Sequence, residues 1–239
     1  MSLRTITKNC SSPLRLSFNI ETIDALFPGF TIADFAILQG SPAVLRLSTL
    51  LAVRAQLPYQ LGGLETTVVF VDGGNTFRLY DVSHIAQLHE LSPKEVLDRV
   101  FVSRAFTAYQ MTALIFDKLQ EAVKRFNAKL IIISDLAGLY LDNDVSDREA
   151  RDVFNQLTRY LSEFAEENGV IVVSTYLLHQ PSRRNVFFKA VACGRANVVA
   201  AVKPAQHGQQ FVLEKHPFFR LGNVHFPSDH GSLDAFMGA

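Results

Sequence analysis

Four short runs of this chain are almost continuously apolar and rich in β-branched side chains: Phe35–Leu38, Thr67–Val71, Leu130–Ser134 and Val170–Ser174. Such runs are the pattern of strands buried on both faces of a parallel sheet. Two later runs, Asn197–Val202 and Gln210–Glu214, flank the polar stretch Lys203-Pro-Ala-Gln-His-Gly208. That stretch holds both Pro and Gly, and predicts an antiparallel hairpin at one edge of the sheet.

Helical spacing fills the intervals. Leu47 to Leu57 is Ala/Leu-rich and stops before Pro58. Ser92-Pro-Lys-Glu95 offers an N-cap Ser, a Pro at the first helical position and a Glu that closes a capping box. Met111, Leu114, Ile115, Leu119, Ala122, Val123 and Phe126 recur on one helical face. A second capping box, Ser146-Asp-Arg-Glu149, opens a stripe of Ala150, Val153, Phe154, Leu157, Leu161, Phe164 and Ala165, with Gly169 as its C-cap. Alternating strands and helices predict right-handed crossovers and a doubly wound α/β sheet with helices on both faces. No internal repeat, low-complexity tract or linker interrupts the pattern, which predicts one domain.

Composition removes several classes. The chain has 239 residues, is 48% hydrophobic and carries 23 basic and 23 acidic side chains. That apolar fraction is too high for a disordered chain. Its two cysteines, Cys10 and Cys193, cannot frame a disulfide-rich secreted domain, and they suggest a reducing compartment. No apolar run is long enough for a membrane-spanning helix, and Met1 to Ser12 lacks a signal-peptide core. A net charge of zero argues against a protein dominated by nucleic-acid contacts.

Ligands of such sheets bind outside the carboxyl ends of the strands. The first of these ends reads Gln39-Gly40-Ser-Pro-Ala-Val-Leu-Arg46-Leu-Ser-Thr49. A strand, a Gly and a helix start give the layout of a phosphate-binding loop, which needs G-x-x-x-x-G-K-[ST]. Here Gly40 is in place, but Leu45 stands for the second Gly, Arg46 for the Lys and Leu47 for the Ser/Thr. The other ends are Val69-Phe-Val-Asp72-Gly-Gly-Asn-Thr-Phe-Arg78, Asp98-Arg-Val-Phe-Val-Ser-Arg-Ala-Phe106, Leu130-Ile-Ile-Ile-Ser-Asp135-Leu-Ala-Gly-Leu-Tyr140 and Val170-Ile-Val-Val-Ser-Thr175. In this order, together with Ile23-Asp24-Ala-Leu-Phe-Pro-Gly29 and Leu51-Ala-Val-Arg-Ala-Gln-Leu-Pro58, they resemble the ATPase core of the RecA/RadA recombinase family. The resemblance runs from about Leu16 to His225. It implies residues 1–17 as an N-terminal extension, 18–239 as one RecA-like core, and an ATP-driven DNA strand-exchange ancestry.

The departures shape the expected function. The phosphate loop is short by about two residues when aligned from the helix side, which puts Val44 at the lysine position. The family's catalytic glutamate falls on Gly74. Its Mg²⁺-supporting aspartate falls on Ser134, with Asp135 one place late, and a one-residue slip along a strand turns a side chain to the other face. Loss of the Lys, the metal-binding hydroxyl and the base removes three parts of a phosphoryl-transfer site. Gly40, Arg46, Asp72 and Asp135 then remain as a degenerate nucleotide site. No catalytic residue, no ATP hydrolysis and no cofactor are expected. Asp72 and Asp135 read either as a carboxylate pair or as caps of neighbouring helices.

Charge is polarised. Ser134 to Asn168 holds nine acidic and three basic residues, whereas His179 to Pro227 holds seven basic residues and one acidic residue. Gln180-Pro-Ser-Arg-Arg-Asn-Val-Phe-Phe-Lys189 stands where the family has its second DNA-binding loop. The resemblance implies that Arg183, Arg184 and Lys189 neutralise phosphates and that Phe187 and Phe188 stack on bases; the alternative is a core Phe pair beside solvated arginines. Histidines 179, 207, 216, 225 and 230 lie late in the chain with Cys193, but without the spacing of a known metal site, so no metal is expected. The expectation is a non-catalytic recombinase paralogue, cytoplasmic or nuclear, that binds a RecA/RadA-family recombinase, single-stranded DNA or both, as a homodimer or heteromer. With only about 17 residues before the core, self-made filaments are not expected. A nucleotide-binding regulator and an ATPase with an unusual phosphate loop are the alternatives.

Overall fold

The computed structural model describes residues 14–206 and 208–227. Cys10, His207 and His230 lie outside them. Six strands run parallel: β1 (Phe35–Gly40), β2 (Thr67–Asp72), β3 (Val100–Arg104), β4 (Ala128–Ser134), β5 (Ile171–Leu177) and β6 (Val198–Ala205). β7 (Gly208–Lys215) and β8 (Gly222–Phe226) continue the sheet antiparallel. The order across the sheet is β3-β2-β4-β5-β1-β6-β7-β8. This is the expected mostly parallel, doubly wound α/β sheet, with an antiparallel hairpin towards its C-terminal edge.

Two details of that edge differ from expectation. The hairpin is tighter, because β6 runs on through Pro204, which pairs with Gln209. Pro204 lies beyond Val202, the last β6 residue paired to β1, where a missing N–H disturbs no central ladder. The outer strand of the hairpin is also not the edge, since β8 pairs along β7.

Alternation along each strand builds two cores. Ala36, Leu38, Val68, Phe70, Leu130, Ile132 and Val173 face α2 (Ala43–Arg54), α3 (Leu79–Leu88) and the aromatic cluster of Phe18, Phe27 and Phe30. Phe35, Ile37, Val69, Val71, Ile131, Ile133 and Val172 face α5 (Ala108–Ala113), α6 (Leu119–Phe126), α7 (Asp147–Asn168) and α8 (Arg183–Arg195). Leu16, expected in the extension, is fully buried in the first core. Two further short α-helices among the described residues are α1 (Glu21–Leu26) and α4 (Pro93–Asp98). Ser92 and Ser146 cap as expected, accepting from the amides of Glu95 and Glu149. The single helix expected from Met111 to Phe126 is divided by a π-turn at Leu114–Lys118.

Candidate functional site

β1 carries Gly40 to the carboxyl end of the sheet, and α2 begins at Ala43, so Ser41 and Pro42 alone join strand to helix. Gly40 has φ +116°, and a Cβ there would stand 2.2 Å from the carbonyl oxygen of Val202. Glycine is what permits this approach of β6. Pro42 has no N–H. The Ser41 amide donates to Val202 O at 2.9 Å, Val44 to Ser41 O at 3.1 Å and Leu45 to Pro42 O at 3.0 Å. Ser41 Oγ donates to Gln209 Oε1 at 3.0 Å. These three amides and the Ser41 hydroxyl are directed at the chain itself. Arg46 lies half-buried on the first turns of α2, where it lines an open cavity of about 480 Å³ with Thr49, Arg78, Asp81 and Gln209.

Asp72 ends β2 with no exposed surface. Its Oδ1 accepts from the Thr76 amide at 2.8 Å and from Ser134 Oγ at 2.8 Å. Its Oδ2 accepts from the Phe77 amide at 3.2 Å and Arg104 Nε at 3.0 Å. Burial pushes this carboxyl up, but the bonds from Thr76, Ser134, Phe77 and Arg104 outweigh it and hold the group below its ordinary value. Asp72 therefore fixes the loop ahead of α3 and caps no helix.

Asp135 also caps no helix. It lies past the end of β4 at φ +48°, outside the strand whose alternation was expected to turn it away. Its amide donates to Thr175 Oγ1 at 2.9 Å, and its Oδ1 lies 2.7 Å from His179 Nε2. Its side chain packs where larger residues at 74 or 138 would stand. A Cβ on Gly74 would meet Asp135 Cβ at 2.9 Å, and one on Gly138 would meet its Oδ2 at 2.2 Å. The bond to Asp135 raises the His179 pKa above its ordinary value against the opposing effect of desolvation. Asp72 and Asp135 thus hold separate partners.

The segment expected as a DNA-binding loop is instead a helix. Ser182 accepts from the Asn185 amide at 3.0 Å and starts α8. Phe188 is fully buried and stacks on Phe154 at 4.3 Å between centroids, so it has no face for a base. Phe187 is half-buried under the Arg151 guanidinium, 4.7 Å from its ring centre. Arg184 is held by Asp147 Oδ1 at 2.9 Å and by the carbonyls of Asp142 and Val145 at 2.8 and 3.1 Å. Of the five residues, Arg183 and Lys189 are exposed.

His179 and Arg104 were not singled out by sequence reasoning as partners of the two aspartates. The one available signal was their position, each just at or beyond a strand end. Among the described residues, no group of three or more His, Cys, Asp and Glu side chains is arranged to hold a metal ion. No helix among them is long and apolar enough to cross a membrane.

Similarity to known proteins accords with this fold. A family model described as Rad51 matches residues 42–194, well over half of the chain. The chain is 37% identical over 130 residues to DNA repair protein RAD51 of Mycosarcoma maydis, a match covering 52% of this chain and 38% of that protein. It is 30% identical over 140 residues to DNA repair and recombination protein RadA of Aeropyrum pernix, covering 58% of this chain and 43% of that protein. The matched stretch spans less than half the length of either relative.

Proposed function

The chain belongs to the Rad51 family, and on that premise we propose that it serves DNA recombination and repair as a non-catalytic paralogue, acting through a partner rather than through ATP turnover. The observation that carries this reading is the two-residue turn between β1 and α2. A phosphate cradle needs a row of free backbone amides and a Lys-Ser/Thr pair at the helix start. Here Pro42 has no amide hydrogen, Ser41, Val44 and Leu45 donate to Val202, Ser41 and Pro42, and Arg46-Leu47 replaces Lys-Ser/Thr. Gly74 occupies the position of the family's catalytic glutamate, and the Asp135 side chain packs directly against it. Asp72, the acid nearest that position in sequence, already accepts from four groups. These residues do not fit a magnesium nucleotide.

The partner of this reading is a recombinase of the same family. Single-stranded DNA is a second reading, favoured by the exposed Arg183 and Lys189. Calorimetry with ATP, with and without Mg²⁺, and a phosphate-release assay test the proposal. No binding heat and no phosphate release are expected. Micromolar Mg²⁺-dependent binding with turnover would replace it by an ATPase with an unusual loop. Binding without turnover would favour a nucleotide-binding regulator. Co-purification with the resident recombinase tests the partner.

A further inference from the structure

A second cavity lies beside the collapsed turn, between the β5–α8 connection and α8. It holds about 200 Å³ and is floored by Gln39, Gly40, Tyr176 and Leu177. Its rim carries two exposed aliphatic side chains, Leu178 at 73% and Val186 at 68% exposure. Exposed aliphatics on the rim of a concave apolar surface are characteristic of interaction sites.

The groove is preformed. Tyr176 Oη donates to Asn185 Oδ1 at 2.6 Å, which ties its floor to its helical wall. Asn185 Nδ2 donates back to the carbonyls of His179 and Gln180 at 3.3 and 3.1 Å. His179 is held by Asp135 on the other side, and Ser182 caps the helix. A wall fixed in this way loses little conformational freedom when it is occupied.

Charge selects the occupant. Arg183, Val186 and Lys189 follow one another at three-residue intervals along α8 and are all exposed. That spacing puts them side by side on the helix surface, a cation on each side of an apolar residue. Neither cation makes an ion pair with a described carboxylate, in contrast to Arg184. The acids nearby are engaged, Asp135 with His179 and Glu214 with Gln39 and Lys203. A single strand held by base stacking would need exposed rings at the groove. Here Phe188 and Tyr176 are buried, and Phe187 lies beneath Arg151.

We propose that this groove docks a short acidic segment of a partner protein, which seats one bulky apolar side chain between Leu178 and Val186 and places carboxylates on Arg183 and Lys189. The proposal rests on the partner-binding reading above and adds the chemistry of the partner. It uses the helix-in-groove and charge-matching modes of peptide recognition, in which the buried anchor gives affinity and the rim charges give specificity.

The test is selection of displayed random peptides on the full chain, followed by fluorescence anisotropy of a labelled selected peptide. Enriched peptides should carry one Leu, Phe or Met flanked by Asp or Glu. Val186→Glu should weaken such a peptide by at least about tenfold, because it places a like charge at the anchor. Lys189→Glu should weaken it severalfold, and selection on that variant should enrich basic flanks instead. Both positions are exposed, so an unchanged melting temperature separates binding from folding; if Val186→Glu unfolds, Leu178→Glu replaces it. Four results would overturn the proposal: no enrichment, enriched peptides indifferent to both variants, displacement of the peptide by oligo-dT, or self-association of the chain abolished by Leu178→Glu. Absence of ATP turnover would survive every one of these, and turnover would leave the groove intact, so the two readings fail separately.

Discussion

Two strand-to-helix junctions lie side by side at the carboxyl end of this sheet, because β5 and β1 are neighbours in it. They are built in opposite ways. The β1–α2 junction is two residues long and closed mainly by backbone: Gly40 presses on Val202, no side chain caps the helix, and a side-chain bond runs from Ser41 to Gln209. The β5–α8 junction has five residues, 178–182, and is closed by side chains: His179 to Asp135, Ser182 to Asn185, and Asn185 to Tyr176. A backbone closure leaves little room for change, since any Cβ or insertion moves a strand. A side-chain closure can be removed one bond at a time. The first junction directs the amides of Ser41, Val44 and Leu45 at the chain itself, while a groove opens next to it.

The sharpest break in this contrast is Phe188→Ala. It removes a fully buried ring stacked on Phe154 and leaves a cavity under α8. A loss of about 3–5 kcal/mol is expected by urea denaturation, with the helical wall of the groove the first element to lose amide-exchange protection. A smaller loss would mean that α8 collapses onto α7 without the ring.

Gly40→Ala addresses the other junction. At φ +116° with a backbone oxygen 2.2 Å from the new Cβ, β1 and β6 must separate locally. The expected cost is about 2–3 kcal/mol, in the range of strained backbone with a broken ladder contact. A neutral result would show that the tight approach of β6 is not what closes the turn.

Much of this architecture was legible in the sequence, and the rest was not for physical reasons. Continuous Val/Ile runs marked the central strands, because burial on both faces removes any need for polar alternation. Ser92 and Ser146 announced helix starts because their partners lie three residues on. α8 was missed because Ser182 is followed by Arg-Arg-Asn rather than by a capping Glu, and because the family resemblance implied a loop there. β8 was missed because Gly-Asn-Val-His-Phe shows only Val224 and Phe226 as an apolar alternation. The shortness of the β1–α2 turn was legible by counting, but the destination of its amides was not. Asp135 was misread because strand alternation does not reach a residue at positive φ beyond the strand. Its partner His179 lies 44 positions away, and no local pattern connects them.

The Asp135–His179 bond predicts a pH signature. A folded-state pKa raised above the ordinary histidine value near 6.5 means that the bond contributes fully below that pH. Its contribution is lost as pH rises through the raised value. The stability of the chain minus that of His179→Gln should therefore shrink as pH rises above about 6.5. The difference is needed because burial also raises Asp24 to about 6 and lowers His89 to about 4, and both titrate in the acid range. Asp135→Asn should remove the same pH dependence. If the difference stays flat, the bond is made by neutral histidine.

The smallest effect belongs to Ser182→Ala. Ser182 accepts from the Asn185 amide at 3.0 Å, and loss of an N-cap costs about 1 kcal/mol. The first turn of α8 would fray, yet Phe188 and Ala192 would keep the rest of the helix on the core. Asn185, placed by that first turn, holds both Tyr176 and the carbonyls of the connection. The groove should therefore lose affinity for a selected acidic peptide more than the chain loses stability. Arg183→Ala, at an exposed position of the same turn, should stay within about 0.5 kcal/mol of the parent stability while weakening the peptide. Parallel losses of stability and affinity in both variants would mean that the side-chain closure holds the fold as a whole. Separation of the two would mean that it is built for the groove.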